Sequence, residues 1–140
     1  MNMQSAHTAA IPMLNPDHTQ GTVQVGWDCV GETYTVQVIC GDRTWQASGY
    51  DYFEALRNVR HQFEPEGYRL LCYGASLDVW PSGMCRDMGE GLKAYKLPQD
   101  DASKPQLFGI FETGLDVVAA TYQAQRAFSR RWHAARRGKE

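Results

Sequence analysis

The sequence predicts an α+β fold: one domain with a mostly antiparallel sheet of about five or six strands and two helices, one mid-chain and one long and C-terminal. Three observations lead there. Short β-branched or alternating runs follow one another across tight turns, a helical stripe interrupts them mid-chain, and a second helical stripe closes the chain. The 140 residues suit one core, and 43% hydrophobic with 11% aromatic content suits a folded chain.

Residues 1–20, with Pro12, Asn15 and Pro16, read as a flexible N-terminal arm ahead of a domain over 21–140. Thr22–Asp28 alternates weakly and is expected to be a strand. Thr33–Cys40 places Tyr34, Val36, Val38 and Cys40 on one face of a second strand. Gly41-Asp42 fits a two-residue hairpin turn, returning Arg43–Ala47 antiparallel with Trp45 packing across the pair. Ser48-Gly-Tyr-Asp51 has the form of a helix N-cap. The helix after it aligns Phe53, Leu56, Val59 or Arg60, and Phe63, with Arg57, His61 and Glu64 turned to solvent, and Pro65 ends it.

Tyr68–Gly74 is apolar on both faces and predicts a central strand. Ser76–Glu90 is irregular, with turns at Trp80-Pro-Ser-Gly83 and Met88-Gly-Glu-Gly91. Leu92–Leu97 and Gln106–Glu112 are expected strands flanking the polar loop Pro98–Pro105. Thr113-Gly-Leu-Asp116 again resembles a cap, opening a helix to about Arg136 with Val117, Ala120, Ala124, Phe128 or Ala127, Trp132 and Ala135 on its stripe.

Charge is uneven. Residues 1–112 carry 14 acidic and 8 basic side chains, a net -6, whereas residues 113–140 carry 2 and 6, a net +4. Such asymmetry concerns partners and solubility rather than fold. The N-terminal stretch lacks a basic region followed by an apolar one, so no secretory signal is expected, and the compartment expected is the cytoplasm. No run of about 18 to 20 apolar residues suggests a membrane span. Cys29, Cys40, Cys72 and Cys85 are then expected as free thiols, and their wide spacing excludes the paired pattern of a zinc site.

Chemistry is sparse. Cys85 beside Arg86 would need a histidine such as His61 to act as a nucleophile, and nothing in the sequence brings the two together. Asp78 with Glu90, or Asp100 with Asp101, read more simply as solvated acids than as acid–base pairs. No phosphate-binding glycine motif is present. Neither catalytic residues nor a cofactor nor a metal is expected. The basic helix (Arg126, Arg130, Arg131, Arg136, Arg137, Lys139, with Phe128 and Trp132) raises nucleic-acid binding, but its aromatics fall on the packing stripe and the body is acidic, which disfavours that partner. A protein-binding patch is the remaining candidate: Asp78, Trp80, Arg86, Asp87, Glu90, Asp100 and Asp101, where acids steer a basic partner and Trp and Arg supply anchors; the alternative is that Trp80 is core and the acids are solvated. Exposed strand edges would permit a homodimer.

Three segments carry a resemblance: Tyr52-Phe-Glu-Ala-Leu-Arg-Asn-Val-Arg60, Glu66-Gly-Tyr-Arg-Leu-Leu-Cys-Tyr-Gly-Ala75, and Val79-Trp-Pro-Ser-Gly-Met-Cys-Arg-Asp-Met-Gly-Glu-Gly-Leu-Lys-Ala-Tyr-Lys-Leu97. With Phe128-Ser-Arg-Arg-Trp132 they resemble small bacterial immunity-type proteins encoded beside Rhs-type, type VI or contact-dependent toxins. The resemblance spans roughly residues 33–136. It implies a non-enzymatic protein that binds and neutralises a cognate toxin; the alternative is an adaptor or chaperone that loads such an effector.

Overall fold

The structure is a computed structural model that describes residues 6–137. Strands β1 (His7–Leu14), β2 (Gln20–Val30), β3 (Thr33–Cys40) and β4 (Arg43–Gly49) each run antiparallel to the one before. Helix α1 (Tyr52–Phe63) leads to β5 (Arg69–Leu70), β6 (Val79–Trp80), α2 (Gly83–Asp87), β7 (Lys93–Lys96), β8 (Gln106–Gly109) and α3 (Tyr122–Arg137). One sheet has the order β4-β3-β2-β1-β5 and the other β6-β7-β8. The result is a single α+β domain, the class the sequence predicts.

Alternation along the strands builds the core. Ile11 and Met13 of β1, Val25 of β2, Val36 and Val38 of β3 and Trp45 of β4 all bury on one face. The two-residue turn Gly41-Asp42 joins Cys40 to Arg43 as expected, with Gly41 at φ 60°. Helix α1 covers the core face with Phe53, Leu56, Val59 and Phe63, each burial contributing about 2 kcal/mol before entropy. It also shields the β4 edge, because Asn58 and Gln62 donate their side-chain amides to the carbonyls of Ser48 and Gln46, each at 2.8 Å.

Several expectations are corrected. The arm expected over 1–20 contains β1, which lies between β2 and β5; eight ladder pairs with β2 and a buried Ile11 and Met13 hold it. Residues 1–5 of that arm, and Lys139, lie outside the described residues. Asp51, not Ser48, caps α1 by accepting the Glu54 N–H at 2.7 Å. Ser48 is still in β4, hydrogen-bonded across the ladder to Thr35. Tyr68–Gly74 is no central strand: β5 is two residues at a sheet edge, and Tyr73–Ala75 is a 3-10 turn. Its two-sided burial comes from the chain after β8, whose Ile110 and Glu112 carbonyls accept the Gly74 and Tyr73 N–H groups.

Ser76–Glu90 contains a short helix, α2, capped by Ser82. The last helix starts at Tyr122 rather than near Thr113. Residues 113–121 instead form a connecting segment with a turn at Leu115-Asp116, pinned where Asp116 accepts the Tyr73 hydroxyl and Ser76 binds the Val118 N–H. Helix α3 buries Gln125 and Ser129 most deeply, not the alanines of the expected stripe. Among the described residues, no helix is long and apolar enough to cross a membrane.

One buried polar network ties these parts together. Arg60 is 1% exposed; it donates to Glu64, to Gln125 Oε1 at 2.6 Å and to the Ala120 carbonyl at 3.2 Å. Glu64, expected in solvent, is buried and also accepts the Tyr122 N–H at 2.8 Å, placing an anion at the start of α3. Gln125 donates to the carbonyls of Gly74 and Val79 at 3.0 and 2.8 Å. Burial of a guanidinium is tolerated because every charge and amide in the cluster has a partner.

Candidate functional site

The seven residues expected to form one patch fall into two settings, and several are engaged internally. Asp78 accepts from Ser76 at 2.8 Å and Lys96 at 2.7 Å, so it pins the turn before β6 instead of facing a partner. Trp80 is half-buried, edge-on to Phe53 at 5.3 Å and tilted on Tyr122 at 5.9 Å. Asp100 folds its own loop by accepting from the Ala102 N–H and from the Ser103 N–H and hydroxyl. These bonds hold its carboxyl below the usual range. Asp101 lies 4.0 Å from Arg136 of α3. These four surround the small sheet and the end of α3.

Arg86, Asp87 and Glu90 sit elsewhere, over the start of α1. The Arg86 Nε donates to Asp51 at 2.8 Å, and its guanidinium lies 3.8 Å from Glu54 and 5.7 Å from the centre of the Phe53 ring. Hydrogen bonding to Asp51 raises the guanidinium's pKa. The Glu90 carbonyl accepts the Tyr52 N–H, so the turn after α2 and the start of α1 are one unit. Glu90 itself has φ 60°, and Gly91 follows at φ 72° with Asp51 packed where a side chain would stand.

Arg86 therefore acts as a clamp. It fixes α2 against α1 while Met84 on that short helix and Met88 at its C-cap stay outside. Met84 and Met88, four residues apart, are 71% and 80% exposed, and Tyr50, just before the α1 cap, is 85% exposed. Asp87 and Glu90, in the same stretch of chain as the methionines, are exposed, and Glu54 is half-exposed. Sequence reasoning missed all three apolar residues. The available signal was a Met pair at helical spacing after a Ser82 cap, in a segment read as irregular.

Cys85 lies half-buried on α2, its N–H bonded to the Ser82 hydroxyl, whereas His61 stands against the Tyr122 ring at 5.7 Å. The four cysteines are free thiols, and burial pushes the Cys72 thiol up to about 11. Among the described residues, no cluster of three His, Cys, Asp or Glu side chains could hold a metal.

On the other side of Trp80 an open cleft of about 790 Å³ runs between Trp80–Gly83 and α3. Arg126, Arg130, His133 and Arg137 line its helical wall. It adjoins an apolar notch of about 350 Å³ walled by Tyr95, Leu97, Pro105 and Trp132. Trp132 is pinned there, donating its indole N–H to the Pro98 carbonyl at 2.7 Å, with the Arg136 guanidinium 3.9 Å from its ring centre. No model of a known protein family matches this chain, and no curated protein matches it.

Proposed function

We propose that this protein inhibits a toxin by stoichiometric binding, in the cytoplasm and without turnover, as its resemblance to immunity-type proteins of Rhs-type and type VI toxins implies. The observation that supports the reading is that Met84 and Met88, on either side of Arg86, and Tyr50, next to Asp51, are all exposed about the Arg86–Asp51 clamp, with Asp87 and Glu90 exposed in the same stretch of chain. Methionine and tyrosine are favoured in interface centres, because they bury much area and adapt or anchor as the partner requires. Acidic side chains draw a basic surface, such as the substrate groove of a nuclease, and accelerate encounter.

Burying three such side chains supplies about 5 to 8 kcal/mol of gross apolar stabilisation, a large part of which offsets the entropy of association. Replacing both methionines by aspartate, M84D/M88D, is therefore expected to weaken partner binding about 100-fold or more. The tagged protein is captured from its own cells and its partners read by mass spectrometry, alongside the double variant. One toxin-bearing polypeptide, recovered near one-to-one and lost with M84D/M88D, supports the proposal. Equal recovery by both proteins would remove the α2 surface from it. A captured toxin that stays fully active when saturated with this protein would point to a loading adaptor instead.

A further inference from the structure

The cations of this chain are used unevenly. Arg43 pairs with Glu66, Arg60 with Glu64, Arg86 with Asp51 and Lys96 with Asp78. Arg69 donates to two carbonyls, and Arg136 to those of Pro98 and Asp100. By contrast, Arg126, Arg130 and Arg137 make no ion pair among the described residues, and all three are exposed on the wall of one cleft. No carboxylate lines that cleft.

Spacing turns these three into a lane. Arg126, Arg130 and Arg137 recur at i, i+4 and i+11, with His133 between them at i+7, so they share one helix face over about 16 Å, the first two arginines about 6 Å apart along the axis and the last two about 10.5 Å. In an extended peptide, every second side chain lies on one face at about 6.6 Å intervals. The first interval matches this repeat, so alternate carboxylates can meet Arg126 and Arg130, and a later one in the run comes within reach of the long Arg137 side chain. Guanidinium forks suit this, since they grip carboxylates bidentately. The apolar notch beside the lane shares Trp80, Pro81, Ser82 and His133 with it, so a bulky apolar side chain next to the acidic run has a seat.

We propose that this groove binds a short extended polypeptide segment that carries acidic residues at alternate positions beside one bulky apolar residue. It goes beyond the toxin-binding reading and stands without it, because it rests on the arginines of α3. A nucleic acid fits less well. Base stacking needs a free aromatic face, whereas Trp132 is covered by Arg136, and Trp80 is wedged between Phe53 and Tyr122.

The test uses fluorescence anisotropy on the whole protein at low salt. One probe is a labelled peptide with four glutamates at alternate positions and a terminal leucine; the other is a labelled twelve-nucleotide oligothymidylate. Saturable peptide binding is expected, weakened about tenfold or more by R130E and less than about twofold by R131E, which changes charge equally at the next position, outside the groove. Equal losses in R130E and R131E would reduce the effect to net charge and overturn the proposal. So would absence of peptide binding, or tighter binding of the oligonucleotide. Both substitutions are at exposed positions, and matched melting curves confirm that folding is intact.

Discussion

Gln125 offers the sharpest test of how this fold is held. The substitution Gln125→Leu keeps similar volume at a site with no exposure, so packing changes little and hydrogen bonding changes a great deal. It removes the 2.6 Å bond from Arg60 and the 3.0 and 2.8 Å bonds to the Gly74 and Val79 carbonyls. A lost bond to a buried charged donor costs about 1.5 to 3 kcal/mol and a lost neutral one about 1. Extra apolar contact from leucine offsets roughly 1 kcal/mol. The expected net loss is about 3 to 4 kcal/mol, which for a domain of this size lowers Tm by roughly 10 to 15 °C. Thermal and urea unfolding followed by circular dichroism measure it. The double variant with Arg60→Met should lose less than the two singles together, by about 1 to 2 kcal/mol. A Tm change under about 3 °C for Gln125→Leu, or full additivity in the cycle, would refute the view that this network joins α3 to α1 and the turn before β6.

Asp51→Ala removes the α1 cap, at about 1 kcal/mol, and the anchor of Arg86, so limited proteolysis should cut within α2 well below the melting temperature. Unchanged cleavage would mean that other contacts hold α2. At Gly74 an added methyl would stand 2.7 Å from both Ile110 and Leu56, so Gly74→Ala should cost about 2 kcal/mol or more, read from the urea midpoint. Tyr52 and Tyr73 are both pushed up to about 12, Tyr52 by burial and Tyr73 by its hydrogen bond to Asp116. With folded values above the ordinary 10.0, their contribution is fully present below pH 10 and is lost as pH rises toward 12. Ultraviolet titration should therefore show two late-ionising tyrosines, and Asp116→Asn should bring one of them earlier; no change in that variant would detach Tyr73 from Asp116.

What the sequence determined by itself was local. The β3–β4 hairpin was legible because Gly41-Asp42 meets the backbone demand of a two-residue turn. Helix α1 was legible because Phe53, Leu56 and Phe63 recur at its period and Pro65 stops it. Tertiary structure decided the rest. Strand β1 was masked by Pro12 and by polar neighbours, and it becomes a strand through the ladder that β2 offers it. The alternatives Val59 and Arg60 were both admitted to the buried stripe, and both are buried. Only contact explains the second: Glu64 one turn away and Gln125 from α3 supply the partners that water would have given. Glu64 also binds the Tyr122 N–H where α3 begins, and separate bonds from Ser76 and Lys96 draw Asp78 inward. Met84 and Met88 stay outside because Arg86 takes the inward side of α2. Periodicity reports which faces are apolar; it cannot report which charges find a partner across the fold, and that pairing settles here which polar groups are scaffold and which remain available for binding.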